Sequence, residues 1–167
     1  AASNPAGAAF MTAPEVALHH GELYRGLSDG SDLSRSFGAY VHPLGRSALG
    51  GRYDVYRLGD LYKEENFGFL AAHQFGDRLA VGVALRYLRK TVGSDEFTDN
   101  AVDPVTGIGF SSEDPVFSGG RTSDAVTGDV GLIFRIGEDW AAGASVKNVN
   151  EPDIALKGAA DPVARVI

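Results

Sequence analysis

The feature that most restricts the fold of this chain is a regular alternation of short and long connections between segments of strand length. The short connections are rich in Gly, Pro or Asp, which suits β-hairpin turns, and they occupy residues 42–46, 75–78 and 136–139. The longer connections are residues 25–33, 58–65 and 91–124. Strands of ~9–11 residues are long enough to cross a bilayer at a tilt. The alternation therefore predicts an all-β fold, an antiparallel up-and-down transmembrane β-barrel with its long loops on one side, as in bacterial outer membranes.

Composition excludes several other classes of protein. The chain has 22 Gly and is 44% hydrophobic, yet no stretch approaches the ~20 consecutive apolar residues that a membrane-spanning helix needs. The absence of Cys excludes a disulfide scaffold, a Cys-ligated zinc site and a thiol nucleophile. A net charge of -7 argues against nucleic-acid binding, which needs a basic surface to neutralise phosphates.

Alternation of residue types along the chain identifies the strands. In residues 79–90 one face carries large apolar residues and the other carries small or basic ones, which suits a strand with one side against lipid. A soluble β-sandwich would alternate in the same way and is the alternative. Seven strands and the start of an eighth are predicted at residues 15–24, 34–41, 49–56, 67–75, 79–90, 125–136, 140–149 and 162–167.

The same alternation assigns individual residues to the inside of the barrel or to its rim. Arg86, Asp129 and Arg135 fall opposite the large apolar residues, and they should face the lumen because an Arg facing lipid near midplane costs about 2–4 kcal/mol. Arg86 and Asp129 lie at similar heights above the short turns, which predicts a salt bridge between them. Tyr87 and Trp140 are predicted at the membrane-water interface, where amphipathic rings are favoured.

Both ends of the sequence read as incomplete. Residues 1–3 carry none of the charged and apolar regions of an export signal, and residues 162–167 read as a strand that stops. An open strand edge in lipid would leave backbone polar groups unsatisfied. We therefore expect an incomplete portion of a larger barrel, with a closed eight-stranded barrel as the alternative.

Two short motifs resemble a known superfamily. Asn4-Pro5-Ala6-Gly7 is similar to a signature near the N-terminus of its members, and Lys147-Asn148 resembles the Lys/Gln-Asn ending of a recurrent strand. The superfamily contains the long-chain fatty-acid transporters (FadL-like barrels) and the PorV and PorQ proteins of type IX secretion. All of these are outer-membrane β-barrels.

The resemblance implies a division of the chain into a plug and a barrel. Residues 1–13 would form an N-terminal plug segment, and residues 14–167 would form the barrel strands. Asn4, Pro5 and Ala6 would then sit inside the barrel at its periplasmic end. The residues alone favour a simpler interpretation, in which Asn4-Pro5 with the flexible Gly7 forms a rigid turn that launches the first strand.

The long loop, residues 91–124, holds two further groups of candidate site residues. Its carboxylates could bind calcium, but their order does not match an EF-hand loop, and solvated acidic surface is the favoured interpretation. Phe97, Phe110 and Phe117 are candidates for a surface that receives an apolar ligand or a protein partner. Packing of the loop on itself is the alternative for these rings.

The chain carries no recognisable catalytic pattern. His19 and His20 are adjacent, so on a strand they face opposite sides and cannot ligate one metal together. Neither a nucleophile elbow nor a phosphate-binding glycine motif occurs among the glycines. We expect a protein that is not an enzyme and that uses no cofactor or metal.

Two functions remain open for such a barrel. The first is passive transport of hydrophobic small molecules across the outer membrane of a Gram-negative bacterium, with the lipid bilayer and a hydrophobic ligand as partners. The second is a PorV-like secretion-associated or structural barrel that binds other envelope proteins. The lumen discriminates between them, since an apolar tunnel favours transport and a bound partner chain favours assembly.

Overall fold

A single antiparallel sheet of seven strands makes up the fold, and it curls into a half-barrel. The computed structural model describes residues 3–23, 32–94, 106–109, 117, 119–137, 139–157 and 160–167. Each strand pairs with the next one along the chain, which is the up-and-down topology that the sequence predicted. A 3-10 helix, Pro5–Phe10, precedes strands β1 (Glu15–Leu23), β2 (Leu33–Leu44), β3 (Ser47–Leu58), β4 (Tyr62–Phe75), β5 (Leu79–Val92), β6 (Thr122–Arg135) and β7 (Ala141–Val146).

The short turns lie at one end of the sheet, as predicted. Strands β4 and β5 are antiparallel neighbours from Phe75 opposite Leu79 to Tyr62 opposite Val92. The β2–β3 turn is tighter than predicted, because β2 continues to Leu44 and leaves only two residues between the strands. Gly45 and Gly76 adopt φ angles of 66° and 61° in these turns, a left-handed conformation that glycine adopts without steric cost.

The prediction of a long connection at residues 58–65 is wrong. Only three residues separate β3 from β4, and Gly59 makes the turn possible with a φ of 48°. Lys63, Glu64 and Glu65 fall within the predicted connection but belong to β4, where Lys63 and Glu65 point to one face and Glu64 to the other. The strand simply continues beyond its apolar part.

Three other predicted elements have different bounds in the structure. The strand predicted at residues 140–149 is shorter, because β7 ends at Val146. Strand β5 extends to Val92 and β6 begins at Thr122, so the long loop is shorter at both ends than predicted, and most of it lies outside the described residues. The predicted eighth strand is reduced to two isolated antiparallel bridges, Lys147 with Val166 and Asp153 with Pro162.

The two faces of the sheet differ in the way that the alternation predicted. Large apolar side chains cover the convex face, where Leu18 is 81% exposed and Phe69 is 74% exposed. Small and polar residues cover the concave face. All seven strands of the described residues belong to this one sheet, so the structure is not the β-sandwich that remained as the alternative. No helix within the described ranges is both long enough and apolar enough to cross a membrane.

The buried core lies between the concave face and the 3-10 helix. Ala6, Ala8 and Ala9 of the helix are almost fully buried. They pack against small residues of the strands near the short turns, Val41, Ala48, Ala72 and Ala80. Because both sides offer small side chains, the helix backbone approaches the sheet closely.

Candidate functional site

The N-terminal segment (residues 3–11) is fastened to the concave face by the side chain of Asn4. Its Oδ1 accepts a hydrogen bond from the Ala6 backbone N at 3.0 Å, which caps the 3-10 helix. Its Nδ2 donates to the backbone oxygens of Leu132 at 3.1 Å and Ala144 at 3.0 Å. One amide therefore shapes its own turn and joins the segment to β6 and β7.

Glycines of the sheet make room for this segment. A Cβ on Gly131 would lie 2.0 Å from Asn4 Oδ1, and a Cβ on Gly82 would lie 2.3 Å from the Ala6 nitrogen. Gly82 and Gly131 are direct cross-strand partners. Real Cβ atoms do not approach other atoms this closely, so only glycine allows the segment to dock here.

The Asn-Pro-Ala-Gly motif begins a helix and does not form a turn that leads directly into the first strand. Pro5 begins the 3-10 helix and Asn4 caps it, and β1 begins only at Glu15. The motif lies against the concave face near the short turns, and the plug role implied by the resemblance stays a prediction. Arg135, predicted to face inward, lies over the Phe10 ring at 3.8 Å from its centroid and so faces the same segment.

The predicted contact between Arg86 and Asp129 is confirmed. Arg86 Nη2 lies 2.7 Å from Asp129 Oδ1, and the two side chains are 12% and 10% exposed. Their backbones are not opposite each other, since Arg86 pairs with Thr127 and Asp129 with Ala84. The long Arg side chain spans this two-residue offset.

Asn148 completes the ion pair, and sequence reasoning gave it no such position. Its backbone N donates to Asp129 Oδ1 at 3.0 Å, and its side-chain oxygen accepts from Arg86 Nη2. Its Nδ2 donates to the Ala164 backbone oxygen at 2.7 Å. Asn148 has a φ of 54°, a left-handed conformation that Asn tolerates better than most residues. The signal in the sequence was the Lys147-Asn148 motif at the end of the last strand.

A second ionic cluster lies on the concave face beside the first. Asp54 accepts from Arg35 Nη2 at 3.2 Å and from Arg52 Nη2. Arg52 and Arg86 both flank Gly68 across the strands. A Cβ on Gly68 would lie 2.8 Å from Arg52 Cγ and 3.3 Å from Arg86 Cγ, so the two stems fill the space above this glycine. We call Arg52, Gly68 and Arg86 the arginine row.

Space lies on both sides of the arginine row. Towards the long loops there is a polar cavity of about 730 Å³, to which Tyr56, Asn66 and Leu88 contribute. Towards the N-terminal segment there is an apolar recess of about 70 Å³. Its apolar lining comes from Pro5, Phe37, Ala39, Val41, Leu70 and Ala84.

The residues after β7 return along the side of the polar cavity. Ile154 and Val163 contribute to its wall, and Lys90 Nζ lies 2.6 Å from Asp161 Oδ2. The carboxylate of Asp153 accepts hydrogen bonds from the backbone N–H groups of Ala155 and Asp161, each at 2.9 Å. These bonds favour the charged carboxylate and hold the pKa of Asp153 below its usual range.

On the convex face, a row of aromatic side chains marks the edge of the apolar surface nearest the long loops. Tyr53, Phe67 and Tyr87 are cross-strand neighbours with ring centroids 4.5 and 6.4 Å apart, and we call them the aromatic row. One step further towards the long loops are charged residues, with Arg89 Nε 2.7 Å from Asp124 Oδ1. At the opposite end, beside a short turn, Trp140 is 76% exposed. The two rings predicted at an interface therefore stand at opposite margins of the apolar face.

Those of the remaining candidate residues that the structure describes do not form a site. Phe97 and Phe110 lie outside the described residues, as do the carboxylates considered for calcium. Phe117 is 8% exposed and lies under the Arg121 guanidinium, so this ring is packed and is not part of an open surface. His20 bonds to Ser36 on the convex face, away from His19. Within the described ranges, no group of three His, Asp or Glu side chains could hold a metal ion.

The fold and these contacts define the chain as the curved wall of an up-and-down β-barrel, with its N-terminal segment docked inside the curve. Comparisons with protein-family models, curated proteins and solved structures found no match.

Proposed function

We propose that this chain is part of the wall of a β-barrel in the outer membrane of a Gram-negative bacterium. The observation that carries the proposal is the convex face of β4, β5 and β6, where exposed Leu, Val and Phe side chains lie side by side across the three strands. A soluble protein rarely leaves an apolar surface of this extent uncovered. A lipid bilayer is a partner that suits it.

The margins of this face support the same proposal. Leu79 and Tyr87 are eight residues apart on β5, which is about 26 Å along a strand and about 20 Å for a strand tilted by ~40°. Transmembrane barrels have an apolar band ~25 Å tall with aromatic residues at both edges. The aromatic row and Trp140 occupy the corresponding positions.

Two neighbouring residues of β5 give a direct test of membrane residence. Leu85 is exposed on the convex face and Ala84 faces the other way. Because the chain has no Cys, a single Cys can be placed at either position and labelled with a polarity-sensitive dye after reconstitution in vesicles. The dye at Leu85→Cys should report hydrocarbon and be quenched by nitroxide lipids, whereas the dye at Ala84→Cys should not. Equal quenching at both positions would contradict the proposal.

Within this barrel, the function that we propose is passive transport of hydrophobic small molecules. The apolar recess beside the N-terminal segment supports it, because it offers an apolar surface inside the curve of the wall. The resemblance of the Asn-Pro-Ala-Gly motif to the fatty-acid transporter superfamily points the same way.

Uptake of an apolar fluorescent dye by expressing cells tests transport. Ala84→Phe should slow uptake because it fills the recess, and the neighbouring Leu85→Phe on the convex face should leave uptake unchanged. If the protein is inserted in the membrane but its cells take up no more dye than cells without the protein, the result would favour the PorV-like function described next.

That second candidate is a PorV-like barrel that binds envelope proteins. The observation that favours it is the chemistry of the large cavity, whose wall carries Arg, Lys, Glu and Asp side chains together with Leu23, Leu88, Ile154 and Val163. A wall that mixes charged and apolar side chains suits a peptide segment, which offers both kinds of group.

A further inference from the structure

Three buried polar atoms converge on the arginine row without a partner in the described structure. They are Arg52 Nε, Asn66 Oδ1 and Arg86 Nε. Arg52 and Arg86 flank Gly68, and Asn66 is the next residue of β4 that faces the same side. All three side chains line the polar cavity. Leaving a buried donor or acceptor unpaired is destabilising, so three such atoms in one place indicate a binding partner.

The two guanidinium groups are already held in place. Arg52 is bound through Nη2 by Asp54, and Arg86 is bound through Nη2 by Asp129 and Asn148. The Arg52 guanidinium also lies over the Phe37 ring, with its central carbon 5.5 Å from the ring centroid. Each Arg therefore keeps an Nε–H donor free while its orientation is fixed, which lowers the entropic cost of binding a ligand.

The charge balance favours an anion. Among the described residues, Arg35, Arg52 and Arg86 share two carboxylates, Asp54 and Asp129, which leaves this part of the structure with an excess positive charge. The next carboxylate on this face is Glu64, two residues beyond Asn66 towards the long loops, where the Tyr62 hydroxyl donates to it. A planar Arg fork with N–H donors in fixed directions matches a carboxylate or phosphate group.

We propose that the arginine row, with Asn66, binds an oxyanion group such as a phosphate or carboxylate. The Nε–H groups of Arg52 and Arg86 donate to its oxygens, and the Asn66 amide donates once it rotates to present its nitrogen. The adjoining apolar recess can hold a short apolar substituent of the same ligand. This inference is independent of membrane residence and of transport.

Titration with inorganic phosphate tests the site. Purified protein in a zwitterionic detergent is followed by calorimetry and by the Arg Nε–H signals in NMR spectra. Phosphate should shift the Nε–H signals of Arg52 and Arg86, and Arg86→Lys should weaken binding by about tenfold or more, because Lys keeps the charge but loses the Nε–H. Arg46→Lys, in an exposed turn, is the control and should bind as the wild type does. Absence of phosphate-dependent shifts at Arg52 and Arg86 in the wild type would overturn the proposal.

A second pair of variants tests the site without changing charge. Gly68→Ala displaces both Arg stems and should weaken phosphate binding, while Gly51→Ala, whose Cβ meets no atom closer than 3.8 Å, should not. Equal phosphate binding by the two Ala variants would refute the geometry. Butyl phosphate distinguishes the two sources of the anion. Tighter binding than that of inorganic phosphate indicates an amphiphile whose apolar tail enters the recess. Equal binding indicates a free ion.

Discussion

Gly131 lies directly beneath the side chain of Asn4, so close that a Cβ on this glycine would be 2.0 Å from Asn4 Oδ1. The same Asn4 amide donates to the carbonyl of Leu132, the next residue on β6. The docking of the N-terminal segment thus depends on the absence of a side chain at one position of the sheet.

Gly131→Ala should therefore release the N-terminal segment. The expected loss of stability is about 1–3 kcal/mol, the usual cost of overpacking, and denaturant unfolding measures it. Gly128→Ala on the same strand is the control, because its Cβ would meet no atom closer than 3.7 Å. Limited proteolysis should cut the first residues of Gly131→Ala faster than those of Gly128→Ala, and equal rates would contradict the clash.

Replacing one member of the Arg86–Asp129 ion pair should strongly lower the stability of the fold. Asp129→Ala leaves the Arg86 guanidinium largely buried without its carboxylate, and such losses typically cost about 3–5 kcal/mol. Arg46→Ala removes an exposed turn pair with Asp77 and should cost less than about 1 kcal/mol. Unfolding midpoints of the two variants compare them directly. Similar losses would mean that the Arg86 pair contributes no more than a surface pair.

Trp140 should report the membrane boundary at the short-turn end. It is the only Trp of the chain and is 76% exposed, so its fluorescence needs no labelling. In vesicles, a nitroxide at headgroup depth should quench it more strongly than a nitroxide deep in the acyl chains. A variant with Trp140→Phe and Phe69→Trp should show the reverse order, since position 69 lies within the apolar face. Equal quenching of Trp140 at both depths would contradict its interfacial location.

The segment after β7 should loosen in acid. Because the pKa of Asp153 is lowered in the folded protein, its carboxylate stabilises the segment at pH values above the unfolded pKa of ~3.9, and this contribution is lost as the pH falls through the lower folded value. The amide signals of Ala155 and Asp161 should shift together over that range in an NMR titration. Asp153→Asn should remove this titration. Unchanged amide shifts in the wild type would show that the two hydrogen bonds do not depend on the charge.

The up-and-down order of the strands was predictable because short turns join successive strands, and the two faces of the sheet were predictable because residue types alternate along each strand. Val83 and Leu85 alternate with Ala84 and Arg86 in the sequence, and the register places them on opposite sides as expected. The inward location of Arg86 and Asp129 follows from the same local signal. Their contact required only that the two residues lie at similar distances from the short-turn end of neighbouring strands.

Other features depend on contacts between distant residues and leave no periodic signal. Asn148 reaches Asp129 because the backbone turns left-handed after β7, and nothing in the alternation indicates that turn. The pairing of Asp54 with two Arg residues depends on the register of β2 against β3. The strand character of Lys63 and Glu65 was missed because charged residues are rare in strands that face the core, whereas these lie beyond the apolar part of β4.

The bonds from Asn4 also impose an order on folding. Its amide joins carbonyls that lie 128 and 140 residues further along the chain, one on each of the last two strands. This double contact cannot form until β6 and β7 have paired. The N-terminal segment therefore reaches its native position only after β6 and β7 have paired, and its backbone should gain protection from hydrogen exchange only after the sheet has assembled.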